Sequence, residues 1–261
     1  MKSMTNQNAT LKLTPIKIFR FLLCVIGMLI SLNLLVLVAK FEFGHPKVFG
    51  LAALFTLDLE QNIPTWFSSI LILTCSILLA GIGLIKKTND DKCSFYWGSL
   101  AFSFLALSVD EAAGLHELSI SPVRNFFNTS GFFYFAWVIP GILLVITCAT
   151  FYWRFLMSLP RSIMLRMIVS AFIYIGGAIG MELVGGGVRS FGLETEATRS
   201  LTYEIVTIIE ESLEMMGMAY FMYTLLIYLA SQKAGINIVA ERRLDRSRNI
   251  KKQELRVSHA N

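Results

Sequence analysis

"FYWGSLAFSFLALSVDEAAGLHE", residues 95–117, opens as an apolar run long enough to enter a bilayer and closes on Asp110, Glu111, His116 and Glu117. A helix of about 20 apolar residues, rising 1.5 Å per residue, matches a hydrocarbon core about 30 Å thick. A charge near the bilayer centre costs about 2.5–3.5 kcal/mol on insertion scales, so three carboxylates at the end of such a helix need a compensating partner. Reading this stretch as a span with a polar terminus decides the reading of the whole chain.

Similar stretches recur along the sequence. The 261 residues are 55% hydrophobic and only 16% charged, with a mean hydropathy of +0.62. A water-soluble domain carries about 25% charged residues. The expected fold is therefore all-α, a polytopic membrane bundle of about six transmembrane helices. The spans fall near residues 17–39, 65–85, 95–117, 131–152, 164–188 and 204–230. They form one domain, 17–230, between an N-tail (1–16) and a basic C-tail (231–261). The first span follows a basic start, but its apolar core exceeds that of a signal peptide and no small-residue cleavage site follows, which predicts an uncleaved anchor.

Lysine and arginine set the expected sidedness. With both termini cytoplasmic, eighteen of the 23 Lys and Arg residues lie inside, and five lie outside: Lys40, Lys47, Arg124, Arg189 and Arg199. The protein is expected in the cell membrane with the bilayer as its first partner. The net charge of +5 sits in short loops and in the tail "KAGINIVAERRLDRSRNIKKQELRVSHAN" (233–261), which argues against nucleic acid. Cys24, Cys75, Cys93 and Cys148 lack paired or metal-type spacing and are read as buried thiols.

Orientation turns scattered acids into a layer. Asp110, Glu182 and the Glu204–Glu214 segment all fall in the outer half of the bilayer. At about 100° per residue, Glu204, Thr207, Glu210, Glu211 and Glu214 share an arc of roughly 120° on the sixth span. Asp110 and Glu117 share a face of the third, whereas Glu111 and His116 diverge unless the helix distorts near Gly114. Gly176 and Gly180 form a small-xxx-small pair suited to close helix packing. In "LFTLDLEQNIPTWFSS" (54–69), Asp58, Glu60 and Asn62 precede a helix start at Pro64 and form a candidate outer lid.

Carboxylate oxygens with an imidazole suit a divalent metal such as zinc, manganese or iron. The candidate ligands are Asp110, Glu111, His116, Glu117, Glu182, Glu210, Glu211 and Glu214. Metal-bound water there would act as a nucleophile or acid–base group near the outer leaflet, on a lipid or small molecule arriving from outside. Two other readings of the same acids stand beside this one: a proton or cation pathway in a transporter, and a hydrogen-bonded network in a structural or accessory protein.

The motifs LDxExNIPTWFSS, DExxxxHE and EExxEMxGM resemble those of a set of bacterial six-span membrane proteins to which no activity is assigned. The resemblance covers most of residues 15–230 and implies the same segmentation and the same site. A looser similarity is to membrane hydrolases that hold zinc between seven spans, the alkaline ceramidase group, which rely on several histidines. This chain offers only His116 near its acids.

Overall fold

The computed structural model describes residues 14–45, 47–192 and 200–232, so both tails lie almost wholly outside the described residues. Within them the fold is all-α. Five helices are long and apolar enough to cross a membrane, and a sixth span is completed if one bent pair counts as one crossing. The protein is a polytopic helical membrane protein.

α1 (Pro15–Phe41) starts with proline in its first turn, where the missing N–H removes nothing from the helix. A short α2 (Leu51–Phe55) leads into a loop and then α3 (Ile63–Thr88). Asn62 caps α3 by accepting the Thr65 N–H, and Lys86 and Lys87 complement its C-terminal dipole. α4 (Ser94–Ala113) ends at Gly114, whose left-handed backbone (φ 58°) closes the last turn. The chain then bends by 74° into residues Glu117–Phe127, which include α5 (Ile120–Phe127). α6 (Val138–Ser158) returns, and α7 (Arg161–Ile175) continues through a π-helical stretch, Gly176–Met181, into α8 (Glu182–Phe191) as one span. α9 (Leu201–Ser231) is capped by Ser200, which accepts the Tyr203 N–H.

The fourth span begins later than expected. Residues 131–137 form a turn and a short 3-10 segment, since Gly131 adopts a positive φ (64°) that a regular helix start does not use. The C-terminal ends of α1, α4 and α8 and the start of α9 share one end of the bundle, and the acids gather there.

α9 is the central element. Below the acids its Met215, Met218 and Ala219 pack with Leu22, Ile26 and Leu29 of α1 and Leu71 and Ile72 of α3. Toward the opposite end Leu225 and Tyr228 join Leu79, Trp97 and Phe155. Polar pairs tie α3 to α4: the Ser69 hydroxyl donates to the Ser108 carbonyl (2.9 Å) and Ser76 to the Ala101 carbonyl (2.7 Å). Each such bond inside a bilayer contributes about 0.6 kcal/mol.

The loop between α2 and α3 enters the bundle. Asn33, 1% exposed in the body of α1, accepts the Leu57 N–H at 3.2 Å, and Leu57 joins the core of α1, α3 and α9. Asn33 lies eight residues before the end of α1 at Phe41, or about 12 Å along the axis. The loop therefore holds its acids against the bundle.

Three expectations change. Cys75 is buried, but Cys24 is exposed and Cys93 and Cys148 are half-buried; all four are free thiols. A thiol is apolar enough to face hydrocarbon, so burial inside the bundle is not required of it. Arg189 lies within α8, 9% exposed and stacked over Tyr134 and Tyr203, instead of in a loop. Lys40, counted as a loop cation, donates to Glu204 of α9 at 2.6 Å.

Candidate metal centre at the acidic end

The end of α4 builds the first part of the site. Because the helix stops at Gly114, His116 folds back onto Asp110: its backbone N–H donates to Asp110 Oδ1 (2.8 Å), and its Nδ1 lies 3.1 Å from Oδ2. That contact leaves Nε2 as the ring nitrogen for an external ligand, the arrangement in which a carboxylate orients a metal-binding histidine. The distortion near Gly114 thus brings together residues that a straight helix would separate.

Glu60, His116 and Glu117 each offer one ligand atom, and the three atoms lie within 4.8 Å of one another. Two of these residues are expected ligands; Glu60 comes from the loop expected to form a lid. Its carboxylate rests directly on Gly114, where a methyl group would collide with both oxygens. Burial, followed by the neighbouring Glu117 carboxylate, pushes the Glu60 carboxyl above its ordinary value of 4.5, and His116 opposes that shift. A cation among the three would relieve this repulsion.

Gly114→Ala tests the contact. The flexible Glu60 side chain can move aside, so the expected stability loss is about 1–2 kcal/mol, from the left-handed backbone alone. The displaced carboxylate should nevertheless weaken metal binding about tenfold. Isothermal titration of the variant with Zn2+ beside a thermal melt separates the two effects, and unchanged affinity would remove Glu60 from the ligand set.

Deeper acids form two further groups. Glu182, at the start of α8, accepts from Trp137 Nε1 at 2.8 Å, and the Trp137 ring lies against His116 with centroids 4.8 Å apart. Glu182 and Glu210 are close electrostatic neighbours. Glu111 lies within electrostatic reach of Glu211 and Glu214, and Tyr174 of α7 lies beside Glu214. Glu214 of α9 is an electrostatic neighbour of both Asp110 of α4 and Glu182 of α8.

The sequence matches the domain of unknown function DUF8692 over residues 23–229. The chain belongs to the DUF8692 family. The matched range contains every candidate ligand and omits both tails, as the resemblance implied. No curated protein matches the chain. No solved structure matches it either.

In this DUF8692 member the remaining expected residues have other work. Asp58 faces α9, with Tyr203 Oη at 3.5 Å and Thr207 Oγ1 at 3.4 Å. Asn62 caps α3 and donates to the Thr56 carbonyl (2.6 Å), so it shapes the loop and is not a lid ligand. Gly176 and Gly180 meet nothing within 4 Å of an added Cβ. The close approach belongs to Gly177, against the Glu210 carbonyl and Glu214 Cγ, and to Gly217, against the Tyr174 backbone. The π-helical stretch explains the change, because its extra residue per turn rotates the face deduced from regular helical spacing. Tyr174 and Trp137 complete the site; neither carries a signal in the sequence that separates it from an ordinary span aromatic.

Proposed function

We propose that the protein holds a divalent metal ion at Glu60, His116 and Glu117 and uses water bound to that ion in membrane-embedded catalysis. One observation carries this reading: three ligand atoms from segments over fifty residues apart in sequence converge within 4.8 Å. The Asp110 contact that fixes the His116 ring adds the outer partner that such a histidine requires. One nitrogen and two oxygen donors suit zinc, manganese or iron, and three protein ligands leave a coordination position open for water or substrate. Exposed Phe126, Phe127 and Phe132 beside the bend favour an amphiphilic substrate that reaches the site from the bilayer. The distribution of Lys and Arg supports cytoplasmic termini, which directs the site to the opposite face of the cell membrane.

Metal content of detergent-purified protein tests the reading. The Glu60→Gln/Glu117→Gln variant should carry about one equivalent less than wild type, since a structural or catalytic site needs its anionic ligands. Equal metal content in the two proteins would overturn it.

The pH dependence has a definite sign. Ligation needs the Glu60 carboxylate, so the ion should be released as pH falls, starting above the range of an ordinary glutamate. Without metal the effect reverses: a raised folded-state value contributes stability that is present at low pH and lost as pH rises through it. Melting curves of stripped and metal-loaded protein should therefore converge on acidification. Curves that stay parallel would contradict the assignment of Glu60.

A further inference from the structure

Below the rim trio, α3, α4, α7 and α9 border a small cavity lined by Ser68, Glu111, Tyr174 and Glu214, with Met215 and Met218 on its wall. We propose that this cavity is a second, deeper cation site that takes one hard cation, such as Mn2+ or Mg2+, on oxygen ligands. It rests on residues apart from Glu60, His116 and Glu117, so the two sites stand or fall separately.

Ser68 is the observation that points to an occupant. It is 7% exposed, lines the cavity, and its hydroxyl meets no hydrogen-bond partner among the described residues. Its neighbours behave differently: Thr65, Ser69 and Ser76 all donate to protein oxygens. A serine inside a helix ordinarily bonds back to the preceding turn; the Ser68 hydroxyl makes no such bond and borders the cavity instead. An occupant of the cavity would satisfy it.

The surroundings select the occupant. The space suits about one water-sized particle, which fits a bare ion and excludes an organic ligand. Two carboxylates face it from different helices, and Tyr174 lines it beside Glu214. Glu211 adds negative charge close by. Oxygen donors without imidazole favour manganese or magnesium over the softer metals, and thioether walls do not compete for a hard cation. The geometry is also built in: Gly177 and Gly217 let α7 approach α9 closely enough to seat Tyr174 beside Glu214.

Titration of chelator-stripped, full-length protein with Mn2+, read by calorimetry and by the loss of the free-ion electron paramagnetic resonance signal, tests the proposal. Wild type should bind about two equivalents and the Glu60→Gln/Glu117→Gln variant about one. Glu214→Gln should lose the other equivalent, and Ser68→Ala should weaken it about tenfold. The milder Ser68→Ala keeps the test decisive if Glu214→Gln does not fold. Wild-type stoichiometry and affinity in Glu214→Gln or in Ser68→Ala would overturn the deep site, as would a single equivalent that only the rim variant abolishes. A single equivalent lost in Glu214→Gln and kept in the rim variant would support the deep site and overturn the rim reading.

Discussion

Gly217→Val is expected to destabilise the bundle by about 3 kcal/mol or more, the upper end of the cost of overpacking. A Cβ at this position would lie 2.7 Å from the Tyr174 backbone nitrogen and 2.9 Å from its Cβ. Backbone cannot rotate away as a side chain can, so α7 and α9 must separate. Helix propensity works in the opposite direction, since valine is preferred to glycine in a helix, but by only a few tenths of a kcal/mol to about 1. Gly98, with nothing within 4 Å of an added Cβ, supplies the control. Gly98→Ala should melt near or above the wild-type midpoint, and Gly217→Val well below it. Equal midpoints for Gly217→Val and wild type would refute the close α7–α9 contact.

Lys40→Met is the second large effect. Glu204 is 4% exposed and its carboxylate lies 2.6 Å from Lys40 Nζ. Removing one partner of a buried pair leaves an uncompensated charge, which costs about 3–5 kcal/mol. Lys40 is 29% exposed, so some solvent screens the site and the low end, about 3 kcal/mol, is expected. Adding Glu204→Gln should recover most of the loss, because an unpaired amide is far less costly to bury than an unpaired carboxylate. A double variant as unstable as Lys40→Met alone would show that the lysine stem, and not its charge, sustains the fold.

The spans were legible because lipid demands long apolar helices, and composition carries that demand directly. The stripe on α9 was legible for a related reason: Glu204, Thr207, Gly217 and Met218 are buried while Ile205, Ile209 and Met216 face outward. Regular spacing failed where the backbone is irregular. The turn after Gly114 joins His116 to Asp110, and within the π-helical stretch close packing falls on Gly177 in place of Gly176 and Gly180. Neither event changes the hydrophobic pattern from which helical phase is read.

Long-range pairings were the other source of change. Glu60 stood beside Asp58 and Asn62 in one loop, and nothing local separates the residue that meets His116 from the residue that meets α9. Lys40 and Glu204 are 164 positions apart. Lys40 enters the sequence reading as a topological marker, and in the fold the same ammonium neutralises a helix carboxylate. Ser68 looked like any small residue of a span until the cavity beside it was apparent.

Under the proposed metal site, Asn33 makes α1 a participant in ion capture. Its amide fastens Leu57, three positions before Glu60, so the loop's register against α1 sets where that carboxylate arrives. Linkage makes the influence mutual: an ion that tightens the loop also strengthens its anchorage in α1 by the same free energy. In that reading, a displacement of α1 at Asn33 would change cation occupancy.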